Sequence, residues 1–128
     1  MSLPRITLIT PCLNAGATIA RTLDSVRAQA YPNLEYLILD GASKDDTLAI
    51  VERYGDIVTR VISGKDKNIA DALNKGFAQA GGDIFCFINA DDALAPGALA
   101  FVGEYFEAHT EVDVLTGGCR RVFADGAE

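Results

Sequence analysis

Short apolar runs alternate four times with stretches of helical apolar spacing along this chain, and no other feature narrows its possible folds so far. Arg5 to Thr10 reads as a buried strand ended by Pro11, which has no amide hydrogen for a ladder. From about Thr18 to Ala30, the residues Ile19, Leu23, Val26 and Ala30 fall on one helical face. Leu34 to Leu39 is a second strand. Ser43 and Asp46 then stand at capping-box spacing, in which a side-chain oxygen takes up a free helix amide, and Leu48, Val51 and Tyr54 carry the buried face to Gly55. Ile57 to Ser63 forms a weaker third strand, interrupted by Thr59 and Arg60. Ile69, Leu73, Phe77 and Ala80 mark the next helix, which Gly81 and Gly82 stop. Ile84 to Ile88 is a fourth strand, Pro96 suits the first turn of a last helix with Leu99, Val102 and Phe106 inward, and Val112 to Leu115 is a candidate fifth strand.

Strands separated by helices need crossover connections, so the expected class is α/β, with a largely parallel sheet covered by helices on both faces. At 128 residues there is room for one domain, and 49% apolar with 23% charged residues is a globular composition that excludes disorder. Eleven Lys and Arg against 18 Asp and Glu give a net charge of −7 with no basic cluster, which excludes nucleic acid as a partner class. Apolar runs such as Ile6 to Ile9 are far shorter than the roughly 18 to 20 residues that cross a bilayer, and the amino terminus lacks a secretory pattern. A soluble cytoplasmic protein is expected. Cys12, Cys86 and Cys119 cannot all pair and show no zinc spacing, so reduced thiols are expected, with Cys86 buried and inert.

In open parallel sheets, ligands bind beyond the carboxyl ends of the strands. The segments placed there are Pro11-Cys12-Leu13-Asn14, Asp40-Gly41-Ala42-Ser43, Ser63 to Asn68, and Asn89-Ala90-Asp91-Asp92. Asp40, Asp66, Asp91 and Asp92 are therefore expected to converge, and gathered carboxylates repel unless a cation or hydrogen-bond donors compensate, which suits a divalent metal. Each residue also has a plainer reading. Asp40 before Gly41 serves a turn, Asp91-Asp92 serve helix capping, Asp71 is a capping or solvated carboxylate, and His109 faces the negative end of a helix. Lys65, Lys67 and Lys75 read as solvated lysines whose clustering leaves phosphate pairing open. Asn14-Ala15-Gly16 stands where a dinucleotide-binding protein needs G-x-G-x-x-G, and no P-loop is present. Phospho-receivers and aspartyl phosphatases need acids after the first strand, and sugar nucleotidyltransferases need a glycine-rich basic amino-terminal loop; neither feature is here.

Taken in order, "ITLITPCLNAGATIARTLDSVRAQAYPNLEYLILDGASKDDT" and "SGKDKNIADALNKGFAQAGGDIFCFINADD" resemble the family 2 glycosyltransferases nearly end to end. The first is similar to the family's opening strand, Asn-containing loop, helix and Asp-Gly-x-Ser-x-Asp-x-Thr loop. The second is similar to its middle segment, ending in the acidic motif written D-x-D. The resemblance implies a GT-A nucleotide-sugar-binding fold, with Pro11 and Leu13 lining a base pocket, Asn14 in the donor-binding loop and Asp40 on the base. It places Asp91 on the ribose, Asp92 together with Asp91 on a diphosphate-bound Mn²⁺ or Mg²⁺, and Asp66 and Lys67 near the phosphates or donor sugar. The implied reaction is inverting transfer from a nucleotide-diphosphate sugar, a UDP-sugar foremost, to a glycan or lipid-linked acceptor. The implied setting is polysaccharide or envelope synthesis at the inner face of a membrane.

Two departures stand out. Leu13 occupies a position where many relatives carry an aromatic that stacks on the base, and Asn68 and Ala70 replace frequent Gly and Tyr. The family's general base lies downstream of the acidic motif, and no residue here matches it. The expectation is a single GT-A domain over residues 1–128 that is truncated at its carboxyl end, with the acceptor half largely absent. Such a chain would bind a donor, transfer sugar poorly and form homo-oligomers through uncovered apolar surface. A non-catalytic nucleotide-sugar-binding domain is the alternative.

Overall fold

In the computed structural model, which describes residues 3–123, the chain runs β1 (Ile6–Cys12), α1 (Ile19–Gln29), β2 (Leu34–Asp40), α2 (Thr47–Glu52), β3 (Arg60–Ser63), α3 (Ile69–Gln79), β4 (Ile84–Phe87) and α4 (Ala98–Ala108). The strands are all parallel, in the order β3-β2-β1-β4. Alternation along them divides the core. Leu8, Cys12, Tyr36 and Ile38 meet Leu23 and Val26 of α1 and Ile50 and Val51 of α2, while Ile6 and Ile84 meet Leu99 of α4. Ile9, Leu37 and Leu39 face the other way, onto Ala72 of α3. The expected α/β class with helices on both faces is the observed one.

Several boundaries move for physical reasons. Pro11 does not end β1, which continues to Cys12 in register with Asp40. The Ile9 carbonyl accepts from the Ile88 amide, so alternate residues turn the backbone of Pro11 toward β4, whose pairing has already stopped at Phe87. The missing amide therefore breaks no ladder bond. β3 begins only at Arg60, and α2 is six residues long, ending at Glu52 rather than at Gly55. The capping box is not formed: Asp46 is the N-cap without a side-chain bond, and the Ser43 hydroxyl is used elsewhere. α4 begins after Pro96 and Gly97, and residues 112–115 form no strand, with Val114 78% exposed. The Gln29 side chain reaches from α1 to α4, accepting from the Leu99 amide at 3.0 Å and donating to the Ala95 carbonyl at 2.9 Å. It thus takes up one of the free amides of that helix end.

α3 makes its closest approach to the sheet through small residues, with Leu73 and Phe77 of its expected apolar face packed partly buried beside them. Ala72 and Gly76 are its buried positions, whereas Ile69 is exposed. A Cβ on Gly76 would stand 2.7 Å from Cδ1 of Ile9, so the close approach requires glycine. At the other end of α3, the buried Glu35 accepts from the Thr7 hydroxyl at 2.6 Å, the Gly81 amide at 2.7 Å and Arg5 at 3.2 Å. Burial opposes its charge, but the Thr7 and Gly81 bonds and the Arg5 guanidinium prevail and hold its carboxyl below the ordinary 4.5. A lowered folded value gives stability that is present above the ordinary value and lost as pH falls through the lowered one. Urea titrations between pH 7 and about pH 3 should therefore show the wild type losing stability in acid more steeply than Glu35→Gln. Parallel acid profiles for the two proteins would contradict this role.

Candidate functional site

A cleft of about 610 Å³ opens beyond the carboxyl ends of β1 and β2, within the usual size range of small-molecule sites. Pro11 lines it from the end of β1, Leu13 and Asn14 from the loop that follows, Asp66 and Lys67 from the loop before α3, and Asp91 from the turn after β4. Six residues nominated from sequence thus share one cavity. Leu13 lies at the cleft and is 62% exposed, free to contact a ligand.

Two loops form one wall of the cleft by holding each other. The Asn14 amide donates to the Ser43 hydroxyl at 2.8 Å, and the Lys44 amide donates to Oδ1 of Asn14 at 2.8 Å. One position on, the Ala15 amide donates to the Thr47 hydroxyl and the Gly16 amide to Asp45, each at 2.9 Å. The Thr47 hydroxyl and the Gly16 amide hold the Asp45 carboxyl below its ordinary value. Closure of this wall puts Asn14 at φ 49° and Ala42 at φ 68°, a left-handed conformation that suits Asn and costs Ala about 1 kcal/mol. The side-chain carbonyl of Asn14 is committed to this wall, which leaves Nδ2 as the side-chain atom not bonded across it.

Asp40 occupies a different place from the one expected. It is 1% exposed, and the cleft is lined not by Asp40 but by its neighbour Gly41. Oδ2 accepts from the Ser63 hydroxyl at 2.8 Å and the Ser43 amide at 3.1 Å, and the Cys12 thiol lies 3.8 Å from Oδ1. The carboxylate therefore ties β1, β2 and β3 together behind the wall and presents no oxygen to the cavity. Burial, reinforced by the Asp40 charge, pushes the Cys12 thiol up to about 12, and burial pushes Cys86 up to about 11. Both thiols are inert at neutral pH.

The expected convergence of four carboxylates does not occur. Asp66 and Asp91 line the cleft, Asp40 is behind it, and Asp92 is exposed beside Asp91 outside the lining. Among the described residues, no group of three or more His, Cys, Asp or Glu side chains is arranged to hold a metal. Two adjacent exposed carboxylates are nevertheless hard oxygen donors of the kind Mg²⁺ and Mn²⁺ use when phosphate oxygens complete the shell. Asp91 and Asp92 fit a cation shared with a bound phosphate, not a cage made of protein alone.

Sequence reasoning missed the residues that place this turn. The Thr22 hydroxyl of α1 donates to the Asp92 carbonyl at 2.6 Å, and Ser25 accepts from the Leu94 amide at 3.0 Å. Their signal was available as hydroxyls on the apolar face of α1, beside Leu23 and Val26. His109 lies outside the cleft lining, where its Nδ1 and the Tyr105 carbonyl are 2.9 Å apart at the end of α4.

Residues 7–127 match the family model described as Glycosyl transferase family 2. The chain belongs to that family. It is 32% identical over 121 residues to a PGL/p-HBAD biosynthesis glycosyltransferase of Mycobacterium bovis, covering 91% of this chain and 47% of the relative. It is also 37% identical to the O-antigen biosynthesis protein RfbC of Myxococcus xanthus, over 88% of this chain and 9% of that protein. Among solved structures, S. aureus TarS 1-349 in complex with UDP-GlcNAc superposes with a TM-score of 0.78 at 25% identity, covering 83% of this chain and 32% of TarS. The mannosyltransferase PcManGT of Pyrobaculum calidifontis, in complex with GDP-Man and Mn²⁺, superposes with a TM-score of 0.70 at 30% identity, covering 77% of this chain and 30% of that one. The fold is thus the GT-A fold of these transferases, and the chain spans about half the length of the first curated relative, at 47%.

The buried role of Asp40 has a measurable consequence. Asp40→Ala leaves the Ser43 amide and the Ser63 hydroxyl without their acceptor, which should cost about 2 kcal/mol or more in urea unfolding without any ligand. A loss under about 0.5 kcal/mol would show that these bonds are readily replaced by water.

Proposed function

We propose that the cleft binds the nucleoside-diphosphate part of a sugar donor and that a protein containing this domain transfers the sugar to a glycan or lipid-linked acceptor. The observation that carries this reading is the single cavity in which Leu13 and Gly41 face Asp66, Lys67 and Asp91. Pro11, Leu13 and Gly41 offer an apolar surface to a base, and the Asn14 amide nitrogen and Asp91 offer polar contacts to the ribose and phosphates. UDP-GlcNAc in TarS and GDP-Man with Mn²⁺ in PcManGT support a nucleotide-sugar ligand with a divalent ion. The relatives named for PGL/p-HBAD biosynthesis and for O-antigen biosynthesis support a role in building glycans, and a lipid-linked acceptor would bring the protein to a membrane surface. No helix among the described residues is long and apolar enough to cross a membrane.

Charge is the main physical problem for such a ligand. A chain of net charge −7 repels a diphosphate, and a divalent ion held by Asp91 and Asp92 would supply the neutralisation and stabilise the departing nucleotide. Lys67 adds a second positive group at the cleft. In the proposed inverting reaction, an acceptor hydroxyl oxygen bonds to the anomeric carbon as the bond to the diphosphate oxygen breaks, and a general base takes the hydroxyl proton.

Calorimetric titration with UDP should show tighter binding in Mn²⁺ than in EDTA, and Asp92→Ala should remove that difference. Equal affinity in both buffers would exclude the metal role. Leu13→Tyr should tighten UDP binding by about 0.5 to 1.5 kcal/mol by offset stacking on the base. Weaker binding with the fold intact would show that position 13 does not face the base.

A further inference from the structure

The loop that carries Asp66 and Lys67 into the cleft is held by one ammonium group. Nζ of Lys75, in the second turn of α3, lies 2.6 Å from Oδ1 of Asp66, 3.2 Å from the Lys65 carbonyl and 3.5 Å from Oδ2 of Asp71. The ammonium donates hydrogen bonds to the first two, and Asp71 adds an ion pair. Of the three lysines for which phosphate pairing is open on sequence grounds, Lys67 lines the cavity, whereas Lys75 is turned to Asp66 outside the lining. Asp71 also accepts from the Lys67 amide at 3.0 Å, and Asn68 caps α3 by accepting from the Asp71 amide at 2.9 Å. Residues 65–68 are therefore fixed to α3 through Lys75 and the first turn of the helix.

We propose that Lys75 is a positioning residue of the donor cleft, acting through Asp66. The Asp66 side chain is 11% exposed and has its two oxygens in different settings. Oδ1 is paired with Lys75. Oδ2 lies 3.5 Å from the point where a Cβ of Gly41 would stand, and that same point is 3.6 Å from Cδ1 of Leu13. The absence of a side chain at Gly41 thus leaves room for one carboxylate oxygen beside the apolar wall. With Oδ1 held, Oδ2 is oriented as an acceptor for an N–H or O–H of the ligand. The ion pair also offsets the negative charge of Asp66, so that an anionic diphosphate can enter beside it. An ordinary Asp71 to Lys75 helical pair would support the helix only slightly and would not affect a ligand.

The inference rests on the nucleotide-donor reading, and one set of titrations separates the two. UDP with excess Mn²⁺ is titrated into the wild type, Lys75→Met, Lys75→Arg, Asp66→Asn and the Asp66→Asn/Lys75→Met double variant, with urea unfolding of each. Lys75→Met should weaken UDP binding about tenfold, the scale of one charge-assisted hydrogen bond, and Lys75→Arg should recover most of the loss. Asp66→Asn should weaken binding comparably, and the double variant should be no weaker than the worse single one, because both changes remove one unit. A folded Lys75→Met that binds UDP within about twofold of the wild type, or losses that multiply in the double variant, would overturn the role of Lys75 while leaving the donor reading intact. A wild type that binds neither UDP nor GDP would overturn both.

Discussion

Parallel pairing of β1 with β2, unbroken from Ile6 and Leu34 to Cys12 and Asp40, brings two strand ends to the same level of the sheet. The wall of the cleft that carries Leu13, Asn14 and Gly41 depends on that alignment. With the two ends level, the Gly41 amide reaches the Cys12 carbonyl at 2.8 Å, and the loops that follow meet at Asn14, Ser43 and Lys44. A slip of one residue would turn Asp40 to the opposite face and separate it from Ser63 and Cys12. The continuous apolar runs of both strands oppose such a slip, since both faces are buried and each position already has its partner.

The strands and the first, third and fourth helices were legible because their apolar periods are strong. The site loops were legible as places, but the roles within them were not. Asp40 and Asp66 are both aspartates near a glycine and a strand end, and sequence spacing gave each of them the cleft. Burial separates them: the first turns inward to two serines and a thiol, and the second turns outward beside Leu13. Ser43 shows the same limit. Its spacing before Asp46 fits a helix cap, yet a partner 29 positions away in the chain holds its hydroxyl. Small residues mislead in another way, because Ala72 and Gly76 carry little apolar weight in a periodicity while defining where α3 touches the sheet.

The acids near the site divide into those the protein satisfies and those it leaves to solvent. Asp40 is enclosed by donors, Asp45 is held by Gly16 and Thr47, and Asp66 is paired with Lys75. Asp91 and Asp92 have exposed side chains on a turn whose backbone Thr22 holds in place. Negative charge that serves architecture is thus compensated internally, and the remaining pair stands where a cation and a phosphate can approach. The division explains how so acidic a chain can offer a cleft to an anionic ligand.

The mutual hold between the loops after β1 and β2 also affects selectivity. Three consecutive backbone amides, of Asn14, Ala15 and Gly16, end on the side chains of Ser43, Thr47 and Asp45, and the Lys44 amide returns to Asn14, so neither loop can shift far without releasing the other. Ordering of this wall accompanies folding rather than ligand arrival, which removes a cost that a mobile loop would impose on association. The same stiffness would limit accommodation: if a base enters beside Leu13 and Asp66, as proposed, one too large for that space meets a wall tied at four points. On the proposed donor reading, discrimination at this end of the cleft would be by shape, and a change of preferred nucleotide would call for a different residue at position 13, 41 or 66 rather than a different loop conformation.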